Sequence, residues 1–205
     1  MSDAAEAELV NTLRSHVTEL ARNPGFLHHQ WYVEHHLEIV ERIALELCDL
    51  HAEADRNLAL ILVWIHDYGK ILNLGPQSDA ALGLKVKEGL LAIGFSEATV
   101  IKAVEYLEMF ERKMEIDLRD APVEVRIASS ADAAAHLTGP FFPIYWKEYS
   151  HKSIPELMAD NRKKLKKDWE RKIVLPEVRR AFEQRYRLLL EQAGEIPEAL
   201  LTQNQ

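Results

Sequence analysis

Apolar residues recur every three to four positions along most of this chain, and no segment longer than a few residues alternates with the period of two that a half-buried strand requires. Residues 32–49 carry the pattern most clearly. Val33, Leu37, Val40, Ile43, Ala44 and Leu47 recur at helical spacing, while Glu34, Glu38, Glu41 and Glu46 fill much of the rest. A first helix is predicted over residues 10–22, ended by the turn chemistry of Asn23-Pro24-Gly25. Residues 58–65 are almost wholly apolar and predict a buried helix, with Asp55 or Asn57 as its cap and Gly69 and a Gly75-Pro76 turn beyond its end. Further helices are predicted over residues 79–93, closed by Gly94, and from the N-cap Ser96 to about Phe110. Pro122, at an N1-like position, opens another over residues 123–137, which Gly139-Pro140 stops. The fold class expected is all-α. The aromatic run Phe141-Phe142-Pro143-Ile144-Tyr145-Trp146 reads as a packed loop over the core in preference to a recognition surface. The basic run of residues 162–172 reads as a helix with a solvated face in preference to a phosphate-binding one.

At 205 residues the chain suits one domain, residues 1–205, large enough to bury a continuous core without disulfides. Cys48 is the only cysteine and lies in a helix-periodic stretch, so a packed thiol is expected and a disulfide framework or cysteine zinc site is excluded. Residues 1–8 have neither the basic start nor the apolar core of a signal peptide, and no apolar run approaches membrane-spanning length. A cytoplasmic protein with no membrane partner is the expectation. A formal net charge of −8 argues against general binding to nucleic acid duplexes, although a local basic patch remains compatible with it.

Candidate chemistry begins where the apolar helix runs into His66-Asp67-Tyr68-Gly69-Lys70. Burying an imidazole beside a carboxylate costs on the order of several kcal/mol unless a partner compensates, and a metal ion is a natural partner for the pair. Upstream, His35 and His36 stand about 100° apart on a helix, so only one can face the core. His36 shares its face with Val40, Ile43, Ala44 and Leu47, whereas His35 lines up with Glu38, Arg42 and Glu46 at the surface. Alone, His36 would be read as a hydrogen-bonded core residue; the pair at His66 and Asp67 turns it into a candidate ligand. Asp132 stands among the small residues 128–135. A cap or buried salt bridge would explain it, but a site receiving His36, His66, Asp67 and Asp132 from three helices would satisfy all four groups.

His36, then His66-Asp67 followed by Tyr68-Gly69-Lys70, then Asp132, resembles the H…HD…D signature of the HD-domain superfamily of metal-dependent phosphohydrolases. The likeness extends to Val40 and Ala44 after His36, to the HDxGK ending with Tyr68 in the aliphatic position, and to Ala-Asp within a small-residue helix. It covers roughly residues 30–137, leaving about 141–205 as a helical C-terminal extension of a single HD-type bundle. The resemblance implies a metal-activated water attacking a phosphomonoester or nucleotide. Asp67 would help hold the metal and orient that water, and Lys70 would offset phosphate charge. The family's second-metal histidines fall at Asp79 and Leu107 in the best placement; leucine cannot ligate, so one metal is implied, with His51, His136 and His151 unplaced. His136, one turn after Asp132, reads equally as a supporting group or as ordinary packing. Two imidazoles and two carboxylates suit Mn, Fe, Co, Ni or Zn better than Mg. If the basic helix folds back toward the site, it would attract an anionic substrate. The competing reading is a non-catalytic HD-fold module that binds metal or nucleotide for regulation, and a third is a helical RNA-binding protein. The sequence leaves substrate, physiological metal and oligomeric state open, a homo-oligomer included.

Overall fold

Helix α3 (Arg56–Ile65) has no solvent face to offer, because every residue from Leu58 to Ile65 is buried, and the other helices arrange themselves around it. In the computed structural model, which describes residues 3–75, 79–196 and 198, the remaining helices are α1 (Asp3–Ala21), α2 (Glu38–Leu50), α4 (Tyr68–Ile71), α5 (Asp79–Ile93), α6 (Glu97–Glu111), α7 (Val123–His136), α8 (Phe141–Glu148), α9 (Ile154–Lys167) and α10 (Pro176–Gln192). A π-helical turn, Val33–Leu37, leads into α2, and a second, Asp168–Lys172, leads out of α9. Among the described residues there is no strand, and no helix is long and apolar enough to cross a membrane.

Helices α1, α2, α6 and α7 pack on α3. Of the two candidate caps for α3, Asp55 takes the N-cap position and accepts the Leu58 N–H at 3.0 Å. The alanine- and serine-rich face of α7 lets backbones approach closely, and its serines clamp the chain after α9. Ser129 Oγ donates to the Lys172 carbonyl at 3.1 Å, and Ser130 Oγ accepts the Val174 and Leu175 N–H groups at 3.1 and 3.3 Å. The chain around Lys172 is thereby pinned beside Asp132.

Four expectations need correction. Helix α1 begins at Asp3, two turns before the apolar periodicity does, because Ala and Glu extend it as strong helix formers on an exposed face. Pro122 is the N-cap of α7, not its first helical residue. The aromatic run is a helix, α8: Pro140 precedes it and Pro143 falls in its first turn, where a missing N–H breaks no bond. The basic run is amphipathic, with Leu165, Asp168 and Lys172 buried and Lys163 and Lys166 exposed. In the expected Gly75-Pro76 turn, Pro76 lies outside the described residues, as does the side chain of Asp79.

Candidate metal centre

The π-helical turn before α2 places Tyr32 and His36 on one side of the chain, their rings 5.1 Å apart. Such turns recur at functional sites. His36 is buried and His35 exposed, as the face argument predicts. At the end of α3, His66 Nδ1 lies 2.7 Å from the Val63 carbonyl, a contact that assigns the proton to Nδ1 and leaves the Nε2 lone pair facing inward. Asp67 leaves the helix (φ −113°, ψ 17°) and is gripped from both sides: Lys70 Nζ is 2.5 Å from Oδ1, and Tyr32 Oη donates to Oδ2 at 2.8 Å.

These groups converge with α7. His36 Nε2 is 3.4 Å from both His66 Nε2 and Asp132 Oδ1; His66 Nε2 is 3.8 Å from Asp132 Oδ1 and 3.7 Å from Asp67 Oδ2. His136 Nε2 adds a fifth donor, 3.5 Å from Asp132 Oδ1. Ligands held at about 2.0–2.2 Å from a transition ion stand roughly 3–3.6 Å apart, so these spacings fit the edges of a coordination shell to within a few tenths of an ångström. His36 Nδ1 is buried without a hydrogen-bond partner, and its Nε2 faces the other donors. The buried cluster of His36, His66, Asp132 and His136, with Asp67 beside it, could hold a metal ion.

Behind this cluster lies a layer that sequence reasoning missed. Asp168, fully buried, stands 2.9 Å from His136 Nδ1, and Lys164 Nζ lies 3.1 Å from the same nitrogen, so the two groups flank the outer edge of a ring whose Nε2 faces Asp132. Lys172 Nζ contacts Asp132 Oδ2 and lies 3.6 Å from Asp168, while Lys164 Nζ is 2.9 Å from Asp168 Oδ2. Lys172 therefore occupies one oxygen of Asp132 and leaves the other, Oδ1, to the histidines. The available signal was the spacing of four between Lys164, Asp168 and Lys172, and again between Tyr32 and His36.

Charge states follow from these contacts. Burial depresses the His36 imidazole well below its ordinary value, with His136 adding to the effect, and burial together with Lys164 lowers His136 to about 4. Burial pushes the Asp132 carboxyl up, but Lys172 and then His136 outweigh it and hold the group well below the carboxylate range. Asp67 behaves likewise under Lys70 and His66, and Asp168 under Lys172 and Lys164. At neutral pH the carboxylates are ionised and His36 and His136 neutral, the state ligation requires. The same shifts set a stability profile. A depressed imidazole binds fewer protons folded than unfolded, so its stabilisation is complete above pH 6.5 and is lost as pH falls toward 4, about 3 kcal/mol for His136 alone. Urea unfolding of metal-free protein is expected to show the midpoint dropping across that window; a flat profile would mean that these imidazoles are not buried neutral.

A cavity of about 400 Å³ opens onto the cluster, with His36, Asp67, Asp132 and His136 at its floor and Lys113, Lys164 and Lys167 on its walls. The basic run thus reaches the site, contrary to the solvated face expected of it. His51 pairs instead with Glu177 and Glu53, and His151 is exposed. Leu107 is buried in α6. Comparison with family models, curated proteins and solved structures finds no match for this chain.

Proposed function

We propose that this protein is a metal-dependent phosphohydrolase of the HD-domain kind, acting on a phosphomonoester or nucleotide. The observation that carries the reading is the meeting of a buried His/Asp donor cluster with a lysine-walled cavity. A divalent transition ion held by His36, His66, Asp67 and Asp132, with His136 as a further donor, would supply Lewis acidity toward a phosphoryl oxygen and acidify water. So many imidazoles favour Mn, Fe, Co, Ni or Zn over Mg.

The chain's own groups fit the rest of the task. Asp67 is ionised and fixed by Lys70 and Tyr32, so its carboxylate is oriented before substrate arrives and can align an attacking water. Lys113 and Lys164 are cations in surroundings that disfavour their charge: burial lowers both, Lys164 to about 8. A phosphate dianion entering the cavity would relieve that deficit. Lys172 is committed to Asp132 and Asp168 and so serves the cluster, not the substrate. Work in a reducing cytoplasm suits Cys48, a packed thiol that burial pushes up to about 11.

The test is phosphate release from a panel of phosphoesters with Mn, Co, Ni, Zn and Mg in turn. Turnover is expected with a transition ion, none after chelation, and a fall of at least about 100-fold in Asp67→Ala. Nucleotide binding without release under every metal would replace the enzyme with a sensor.

A further inference from the structure

Helix α8 carries Phe141 and Tyr145 four residues apart, Tyr149 is its C-cap, and all three line the cavity as one stripe. Phe142, off that stripe, is buried in the core, so core packing is served by a different side of the helix. Phe141 stands against the His136 ring at 4.4 Å, and the Tyr145 and Tyr149 rings lie 4.3 Å apart. The stripe therefore runs outward from the histidine cluster. It is also held in place: Glu148 accepts the Trp31 indole N–H at 2.6 Å and pairs with His28 Nδ1 at 2.8 Å, while Tyr145 Oη reaches Asp160 at 3.3 Å. Lys164 Nζ sits over the Phe141 ring, 5.9 Å from its centroid.

A fixed aromatic wall beside cations selects a particular kind of ligand. A free phosphate or a phosphorylated polyol would use the lysines and the floor but leave the rings wet. A ligand with a flat ring can stack on the wall while its phosphate reaches the floor, and a wall that is already ordered adds no ordering cost. The cavity's size lies within the range of small-molecule sites. We propose that the α8 stripe is a subsite for the ring of a ring-bearing phosphomonoester, a nucleoside monophosphate or an aryl phosphate. This rests on the phosphohydrolase reading only for where the phosphate goes.

Calorimetric titration of the full-length, metal-free protein reads the subsite without turnover. The probes are a nucleoside 5′-monophosphate, phenyl phosphate and ribose 5-phosphate. One or both ring-bearing probes are expected to bind at least about tenfold more tightly than the sugar phosphate, in line with the known strength of base–aromatic stacking. Tyr149→Leu, a half-buried position, is expected to remove most of that advantage while leaving ribose 5-phosphate binding within about twofold. A nucleoside monophosphate that alone gains tightness assigns the wall to a base; equal gains for both probes assign it to any ring. Equal affinity of all three probes for the unmodified protein overturns the subsite and leaves the hydrolase reading untouched. Ring-selective binding without phosphate release under any metal does the reverse.

Discussion

Replacing Lys172 with methionine is expected to destabilise the metal-free protein by about 3–5 kcal/mol, the range for removing one partner of a buried ion pair. Lys172 is only 3% exposed, touches Asp132 and lies 3.6 Å from Asp168. Methionine fills most of the space of the lysine stem but returns no charge, so two buried carboxylates lose their common cation. For a chain of this size the loss corresponds to a melting temperature lower by roughly 10 °C. It measures the charge left behind, not the worth of the pair, because an all-apolar replacement of the network could be near neutral. Two controls follow from the geometry. Adding Asp168→Asn should recover part of the loss, since a buried carboxylate left with Lys164 as its one lysine partner is neutralised, and the recovery is the coupling a double-mutant cycle reads. Adding a divalent transition ion should recover another part through the free oxygen of Asp132. A loss below about 1 kcal/mol in urea titration would mean that Lys172 is not the cation holding Asp132 in place.

The candidate site was legible wherever polar residues interrupt an apolar pattern. His66 and Asp67 stand out because the helix before them is apolar throughout, and His36 could be told from His35 by which side of a helix carries Val40 and Ala44. Asp132 turned out to satisfy both readings at once: it holds a buried salt bridge and also faces the histidines. The second layer was hidden because α9 and the turn after it bury polar groups. A periodicity argument sees Lys164, Asp168 and Lys172 as a solvated face, since nothing local announces that Ser129 and Ser130 will draw this backbone against α7. His136 is flanked by Asp168, a partner distant in the chain, so one-turn spacing from Asp132 alone left its role undecided. Helix α8 was missed for a different reason. One proline within the run and another just before it favour a loop on composition, yet Pro140 is the N-cap and Pro143 lies in the first turn, positions that tolerate them.

The other large effect concerns the metal. His66 is the cleanest probe, because its Nδ1 is tied to the Val63 carbonyl and its Nε2 has no task other than the cluster, whereas Asp132 and His136 are also braced by Lys172 and Asp168. Removing its imidazole takes away a donor that stands 3.4 to 3.8 Å from His36, Asp67 and Asp132. Loss of a supporting group alone costs 10–100-fold in metal affinity, so loss of a ligand should exceed about 100-fold. The direct measurement is titration of cobalt or manganese into chelator-treated protein, followed by elemental analysis of the washed sample. One ion per chain is expected, retained through washing in the unmodified protein and lost in His66→Ala, whose helix content is checked by circular dichroism. Binding that is absent from the unmodified protein, or that persists unchanged in His66→Ala, would contradict a metal centre at this cluster.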